Sequence, residues 1–340
     1  MNNLFKATAL ATAALALSAC ATPATETPTA PPVTQEAPET SLATTDNDAT
    51  TAHRGIGSVQ VALLPALDSF PMILAQEMGF FADHGIEVEL HMFPGAPDRD
   101  AVFQTNMDVD GLLFDMIANT MFDYGGLEVV SVSSSIGRTS IIAHPETGIE
   151  TLADLAGNTV LYSMNTSMDY ILYQALSSVG LTQADVDPLP VAALPLRFEA
   201  FVQGQAEAIV MTEPFATMGL ENGAVHITDT QTLGINPFAF GFRRSVVEER
   251  PDDVLAFYRA LNDAVNFINT ADRELFIDLI MDVVGYPPHT RDTLIVPVFP
   301  LYGPIDPANA ESVINFVYER ELIGERLPVE RIITNLLDEL

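Results

Sequence analysis

The chain has little positive charge and is almost without lysine, tryptophan and cysteine. Its 340 residues include 14 basic against 46 acidic side chains, a formal net charge of −32, and Lys6 is the one lysine. Nucleic-acid binding needs clustered Lys and Arg opposite the phosphates, so this composition excludes a nucleic-acid partner. An anionic bilayer surface would also repel the folded part. Without tryptophan, stacking on a flat ring depends on Phe or Tyr.

Sequence signatures of catalysis are also missing. The chain contains no nucleophile elbow, phosphate-binding loop or dinucleotide fingerprint. Its six histidines lack the short spacing of a metal-binding pair. The acids in residues 98–100 and 108–110 lack the glycine and the terminal glutamate of a calcium loop. We therefore expect no enzyme activity, no cofactor and no metal site.

The single cysteine, Cys20, is informative because of its position. One cysteine forms neither an internal disulfide nor a zinc finger. Residues 1–19 carry one positive charge and then an apolar run too short to span a bilayer, which is typical of a secretory signal. Residues 17–20, Leu-Ser-Ala-Cys, resemble the bacterial lipobox. That resemblance implies cleavage before Cys20, lipid on this residue and an extracytoplasmic protein anchored to the bacterial membrane.

The stretch after Cys20 is rich in Ala, Thr, Pro and Glu up to residue 55. It has almost no large apolar side chains, so it cannot bury a core, and its prolines favour an extended spacer. The sequence therefore predicts a signal peptide at 1–19, a lipidated cysteine with a disordered tether at 20–55, and a globular part behind them.

In the globular part, strand-like runs alternate with helical patterns, which favours parallel α/β sheets. The pattern after Phe238 is mostly helical, and residues 98–108 stay unassigned. The predicted strands cover residues 59–64, 88–90, 110–114, 129–133, 141–143, 160–162 and 208–212. Three predicted helices begin at Pro71, at a capping box in 151–154 and at Asp306-Pro307, and two more cover residues 168–179 and 254–268.

Five short phrases follow one another between residues 59 and 265. They are AQEMGFF at 75–81, GIEVE at 85–89, IETLADLAG at 149–157, QGQAEA with TEP within 203–214, and PDDV at 251–254. Behind a lipobox, this series resembles the periplasmic solute-binding proteins of ABC importers for sulfonates, nitrate, taurine and thiamine precursors. One departure is Asn158, which stands where the family usually has lysine.

This resemblance implies an α/β fold with two lobes, the type II periplasmic-binding-protein fold, and a ligand cleft between lobes joined by a two-stranded hinge. Lobe one would be residues 57–142 plus 238–340, and lobe two residues 143–237. The crossings near Ala143 and Pro237 would form the hinge. A small ligand bound to both lobes would favour the closed form, which docks on an ABC permease. We expect a monomer.

Candidate ligand-binding residues lie in loops beyond the carboxyl ends of strands, where helix N-termini present free amide groups. Residues 163–167 are the strongest candidate loop because most of their side chains are small and polar. The candidates are Asp68, Ser69 and Phe70; Phe114 and Asp115; Arg138; Ser163, Asn165, Thr166 and Ser167; and Glu213 and Phe215.

Each candidate also has a purely structural interpretation. The polar groups of the first three loops could cap helices, and Glu213 could pair with an arginine. Arg138 could pair with a surface acid, and the aromatic side chains could belong to the core. The sequence leaves both interpretations open.

The acids Asp68, Asp115 and Glu213 decide the expected ligand class. If all three face one cleft, charge repulsion disfavours a bare inorganic anion. An amino-bearing ring such as a thiamine-precursor pyrimidine is then favoured, with taurine or another sulfonate next. One alternative is a sensing lipoprotein that presents its ligand to a membrane receptor. Another is a pyrimidine-synthesis enzyme, but its fungal relative would require a cysteine-rich iron motif that this chain lacks.

Overall fold

The computed structural model describes residues 57–105 and 108–340, so the expected signal peptide, Cys20 and tether lie outside the described residues. The strands are β1 (Gly57–Leu63), β2 (Ile86–Met92), β3 (Gly111–Asp115), β4 (Val129–Ser134), β5 (Thr139–Ala143), β6 (Thr159–Tyr162), β7 (Asp187–Pro190), β8 (Ala208–Thr212), β9 (Val225–Asp229) and β10 (Phe238–Arg243). The helices are α1 (Phe70–Glu77), α2 (Phe80–Asp83), α3 (Ala96–Thr105), α4 (Met116–Tyr124), α5 (Ser167–Ser178), α6 (Leu194–Val202), α7 (Phe215–Glu221), α8 (Thr230–Leu233), α9 (Arg244–Glu249), α10 (Pro251–Thr270), α11 (Ile277–Val284) and α12 (Pro307–Glu319).

The strands form two five-stranded sheets, ordered β2-β1-β3-β10-β4 and β7-β6-β8-β5-β9. Four of the eight strand pairs in the described residues are parallel. The other four are antiparallel, β10 with β3 and β4, and β5 with β8 and β9. The expected parallel pairing is therefore present in both sheets, and each sheet also contains an antiparallel strand. In each sheet the antiparallel strand is the one that the chain enters after crossing from the other sheet. Below, lobe one means the first sheet with the helices packed on it, and lobe two the second sheet with its helices.

Two short connections join the sheets. The first is residues 135–138, because β4 ends at Ser134 and β5 begins at Thr139 in the second sheet. Residues 139–142, which the sequence analysis placed in lobe one, thus pair within the second sheet. The second connection is residues 234–237, between α8 and β10. The two connections contact each other, since Asn236 Nδ2 donates to the Ser135 carbonyl at 2.8 Å.

Local chemistry explains several element boundaries. Thr166 caps α5, its Oγ1 accepting from the Met168 N–H at 3.2 Å, and the chain leaves that helix through Gly180 at φ +76°. Asp306 likewise caps α12. Residues 238–243, for which the sequence analysis named no strand, form strand β10.

Three apolar clusters make up the core. One fills the space between the first sheet and helices α1, α2, α10 and α11. A second runs from the other face of that sheet through α4, α12 and α5 to the second sheet. The third lies under α6 and α7 in lobe two. The two lobes therefore share one apolar cluster on the side where α5 and α12 lie.

Within residues 57–105 and 108–340, none of the helices combines the length and the apolar character needed to cross a membrane.

Candidate functional site

Asp68 lies in the segment between β1 and α1 and contacts the first connection between the sheets. Its Oδ2 accepts a hydrogen bond from Ser135 Oγ at 2.7 Å, and its carboxyl also accepts from the Gly137 N–H. Burial raises the pKa of Asp68 in spite of these hydrogen bonds. Ionised Asp68 is therefore poorly solvated, and a further N–H donor beside it would stabilise its charged form.

The next two candidates, Ser69 and Phe70, serve the structure of lobe one. Ser69 precedes α1 without a side-chain capping bond, and its Oγ donates to the Leu64 carbonyl at 2.6 Å. Phe70 is fully buried, with its ring centroid 5.8 Å from Phe276 and 6.1 Å from Phe299. Of the two interpretations of Phe70, the structure therefore favours the core, because its ring is enclosed there.

Asp115 makes a direct contact between the lobes. Its Oδ1 caps α4 by accepting from the Ala118 N–H at 2.8 Å. Its Oδ2 accepts from the N–H of Ser167, the first residue of α5 in lobe two, at 3.2 Å. Its neighbour Phe114 is buried, and its ring lies against Gly241, so Phe114 belongs to the core rather than to a ligand surface.

The loop at residues 163–167 is held by hydrogen bonds within itself and by bonds to two acids outside it, Asp115 and Asp169. Thr166 Oγ1 donates to the Ser163 carbonyl at 2.8 Å while it caps α5. Asn165 is exposed at φ +60°, and its N–H donates to Asp169 Oδ2 at 3.0 Å. The capping interpretation is thus confirmed for Thr166. A ligand contact by this loop stays a prediction.

Arg138 lies in the first connection, and its guanidinium forms an ion pair with a carboxylate. Its Nη2 donates to Asp229 Oδ2 at 2.7 Å, and Asp229 also caps α8 through the Thr232 N–H at 2.7 Å. Burial alone would raise the pKa of Asp229, but hydrogen bonds from Thr232 and Arg138 lower it. The expected surface pairing of Arg138 is therefore a pairing with a buried acid.

Glu213 and Phe215 follow β8 at the edge of lobe two. Glu213 Oε2 accepts from the Thr217 N–H of α7 at 3.1 Å. Among the described residues it forms no ion pair with an arginine, contrary to its structural interpretation. Phe215 is half-buried, and its ring lies 5.2 Å from that of Phe198 within lobe two.

Two tyrosines that the sequence analysis missed lie close to these acids. Burial and then the charge of Glu213 raise the pKa of Tyr286, whereas nearby Arg138 opposes the rise. Burial and then the charge of Asp68 raise the pKa of Tyr302. Both tyrosines pack in the core cluster of lobe one, in segments without strand or helix periodicity. No sequence signal marked them.

Phe238 lies beside several of the candidate residues described above. It lies opposite Asp115 in the pairing of β3 with β10. A Cβ atom added to Gly137 would lie 2.3 Å from Cγ of the Phe238 ring and 2.8 Å from Asp68 Oδ2. The half-buried Phe238 ring therefore packs against the backbone that also contacts Asp68. The fold brings Asp68, Arg138 and Phe238 together at the connections.

No group of three or more His, Cys, Asp or Glu side chains suited to a metal ion occurs in the part of the chain that the structure describes.

Two α/β lobes joined by two adjoining connections, with polar groups at the strand ends, make up the two-lobed fold of periplasmic binding proteins. Residues 66–273, more than half of the chain, match the family model described as NMT1/THI5 like. The chain belongs to this family.

Curated relatives are similar over about two thirds of the chain. A Haemophilus influenzae protein named for thiamine biosynthesis is 24% identical over 246 residues, covering 66% of this chain and 72% of the relative. An Escherichia coli protein named for binding aliphatic sulfonates is 23% identical over 231 residues, covering 64% of this chain and 68% of the relative.

Among solved structures, the periplasmic aliphatic sulphonate-binding protein SsuA of Escherichia coli has a similar fold. Its TM-score is 0.71 at 18% identity, and the match covers 82% of this chain and 92% of that protein. This likeness confirms the two-lobed fold.

Proposed function

We propose that this chain is an extracytoplasmic substrate-binding lipoprotein that captures a small organic solute with amino groups and delivers it to an ABC permease. The preferred ligand class is an aminopyrimidine of the thiamine-precursor kind, with taurine or another sulfonate next. In this proposal Cys20 carries the lipid anchor and the protein acts as a monomer.

The choice of ligand class rests on the charged side chains around the two connections. Arg138 has its positive charge engaged by Asp229 at 2.7 Å. Asp68 is buried, and no basic side chain forms an ion pair with it among the described residues. A buried acid of this kind gains from an N–H donor and repels a bare anion. A buried acid without a basic partner, beside an arginine that is already paired, supports an amino-bearing ligand.

The proposed ring contact is Phe238. Its ring is half-buried and lies beside Gly137, whose N–H binds the Asp68 carboxyl. A flat ligand ring stacked on Phe238 would place its amino substituents near that carboxyl. Tyr286 of lobe one, whose pKa the charge of Glu213 helps to raise, and Glu213 of lobe two would supply further polar groups.

Lobe closure would follow from contacts with both lobes. Asp115 already joins α4 of lobe one to Ser167 of lobe two at 3.2 Å. A ligand that adds contacts with both lobes favours the closed form over the open one. The permease would receive the ligand as the lobes part.

A thermal-shift titration tests the ligand class. The protein is the mature chain from Cys20 onward, with Cys20→Ser to prevent lipidation. We expect 4-amino-5-hydroxymethyl-2-methylpyrimidine to raise the unfolding midpoint in proportion to the logarithm of its concentration. Asp68→Asn should weaken this response. Asp278→Asn is the control, because Asp278 is an exposed acid paired with Arg291. Tight binding of nitrate or sulfate, with no response to amines, would refute the amino-ligand proposal.

The lipid anchor has a separate test. Expressed with residues 1–19 in a bacterial host, the protein should appear in the membrane fraction with acyl chains on Cys20, detected by mass spectrometry. The Cys20→Ser variant should appear in the soluble fraction. Equal membrane association of both forms would contradict anchoring through Cys20.

A further inference from the structure

Three arginines are buried in the described residues, and one of them lacks an acidic partner. Arg99 pairs with Asp100 at 2.6 Å. Arg243 lies near Asp110, whose charge opposes the effect of burial on the pKa of Arg243. Arg197 is fully buried, and no carboxylate pairs with it in residues 57–105 and 108–340. Arg197 therefore differs from the other two in having no nearby negative charge.

Two of the three contacts of the Arg197 guanidinium are with weak acceptors, and the third is with a backbone carbonyl. Nη1 donates to the Val191 carbonyl at 2.8 Å, Nη2 to the Met168 sulfur at 2.8 Å, and Nε to the Met211 sulfur at 3.4 Å. A guanidinium has five N–H donors, and thioether sulfur accepts hydrogen bonds only weakly. Burial lowers the pKa of Arg197 to about 10, so the side chain is still charged at neutral pH. Its charge is thus buried and incompletely compensated.

Arg197 lies at the edge of lobe two where ligands bind in this class of fold. Val191 follows β7, Met211 is next to the last residue of β8, and Met168 lies in the first turn of α5. β6 runs parallel to both β7 and β8, so these positions mark the carboxyl ends of neighbouring strands. Met168 and Val191 keep some exposure, whereas Met211 has none. The flexible Met168 side chain is therefore the movable part of the cover over the guanidinium.

We propose that Arg197 is an anion subsite of lobe two, which a sulfonate, carboxylate or phosphate group of the ligand contacts when the Met168 side chain turns aside. A planar guanidinium binds such groups through two parallel hydrogen bonds. The proposal rests on the proposed function, and it narrows the ligand class to molecules with an amino group at one end and an anionic group at the other. The amino end lies near Asp68 in lobe one, and the anionic end binds Arg197 in lobe two.

Isothermal titration with matched ligand pairs tests this subsite. The pairs are taurine with ethanolamine, and the aminopyrimidine alcohol with its phosphate ester. We expect the anionic member to bind the wild-type mature chain about 10- to 100-fold more tightly, the range of a hydrogen bond to a charged group. Arg197→Met should abolish this preference. It should leave the affinity for the compound without the anionic group within about threefold of wild type. Arg197→Lys should retain part of the preference.

Arg243→Met is the matched control. It removes another buried arginine, whose partners are the carbonyls of Phe103 and Val109 in lobe one. It should lower stability and leave the preference for the anionic member unchanged. Two results would overturn the subsite while the proposed function stands. One is that Arg197→Met weakens the binding of both compounds of a pair to the same extent, and the other is that the wild type does not prefer the anionic compound. Failure of all four compounds to bind wild type would overturn both.

A second variant covers the case in which Arg197→Met does not fold. Met168→Glu places a carboxylate in the position of the sulfur that now contacts the guanidinium. We expect Met168→Glu to remove the preference for the anionic member, because the new carboxylate occupies Arg197. Met168→Gln, of the same size without the charge, should keep the preference. An unchanged preference in Met168→Glu would argue against the subsite.

Discussion

At the scale of single residues, Asp68 combines a structural and a proposed ligand-binding role. Its carboxyl accepts hydrogen bonds from Ser135 and Gly137 in the first connection, and burial still raises its pKa. An acid in this state is stabilised either by protonation or by a donor that arrives with a ligand. The same side chain can therefore report on both stability and binding.

Asp68→Asn tests the effect of this acid on stability. Because its folded-state pKa is raised, protonated Asp68 stabilises the fold, and that contribution is lost as the pH rises from the ordinary value of 3.8 through the raised pKa. Asparagine keeps an oxygen for Ser135 Oγ and does not ionise. We expect a higher unfolding midpoint than wild type at neutral pH and equal midpoints below pH 3.8, measured by calorimetry in ligand-free protein. A less stable variant at neutral pH would contradict this prediction.

Single residues also show what the sequence could and could not reveal about the site. The sequence located the loops correctly, because strand ends and helix starts have local signals. It did not reveal partners distant in the chain, such as Asp115 with Ser167. It also gave no reason to single out Arg197, since arginine is rarely fully buried. The sequence could not decide the position of Phe70, because an aromatic residue beside a polar loop has the same local pattern in a core and in a cleft.

At the scale of elements, α5 and α12 hold the lobes together on one side. Asp169 of α5 is fully buried and accepts from Arg320 Nη2, next to the end of α12, at 2.5 Å. Tyr170 Oη donates to Ser312 Oγ at 3.0 Å, and the Tyr170 ring lies 5.4 Å from Phe316. Polar and apolar contacts therefore coincide where the shared core cluster passes from lobe to lobe.

The Asp169–Arg320 pair can be measured with a double-mutant cycle. Arg320→Met leaves a buried carboxylate with only Gln183 and the Asn165 N–H as partners, so we expect a loss of up to about 3 kcal/mol in unfolding free energy. Asp169→Asn together with Arg320→Met should lose less than the sum of the single variants, by at least about 0.5 kcal/mol. Denaturant titrations supply the four values. Strict additivity would show that the pair contributes nothing.

Asp115 offers a test of the contact between α4 and α5. Asparagine caps helices about as well as aspartate, so Asp115→Asn should keep the α4 cap and weaken the charge-assisted bond to the Ser167 N–H. We expect a larger radius of gyration for the ligand-free variant in small-angle scattering. Asp306→Ala is the control, because it removes only the cap of α12, at about 1 kcal/mol, and should leave the radius unchanged. An unchanged radius in Asp115→Asn would mean that this bond does not hold the lobes.

Strand β10 shows where element prediction failed. Its six residues, Phe238–Arg243, lead directly into α9 without a turn residue between them, so the helical pattern that follows dominated the interpretation. The strand has a glycine in its middle because a Cβ on Gly241 would lie 2.3 Å from the Val130 carbonyl oxygen and 2.9 Å from the Phe114 ring. That requirement comes from the neighbouring strands, which local sequence does not reveal.

At the scale of the whole molecule, the two connections are the places where the relative position of the lobes is set. They are hydrogen-bonded to each other, with Asn236 Nδ2 donating to the Ser135 carbonyl at 2.8 Å. Asp68, Gly137 and Phe238 lie in contact there. Ligand binding beside the connections and movement about them would therefore involve the same side chains.

Gly137→Ala tests this coupling between hinge and site. The added methyl group would lie 2.3 Å from the Phe238 ring and 2.8 Å from Asp68 Oδ2, so at least one of these side chains must move. We expect the affinity for an aminopyrimidine to fall by at least about tenfold, and small-angle scattering to show a smaller change of radius on adding ligand. Gly303→Ala is the matched control, because a Cβ there meets no atom within 4 Å. If Gly137→Ala binds and closes like Gly303→Ala, the ligand lies elsewhere, and the packing of Phe238 on Gly137 serves the fold alone.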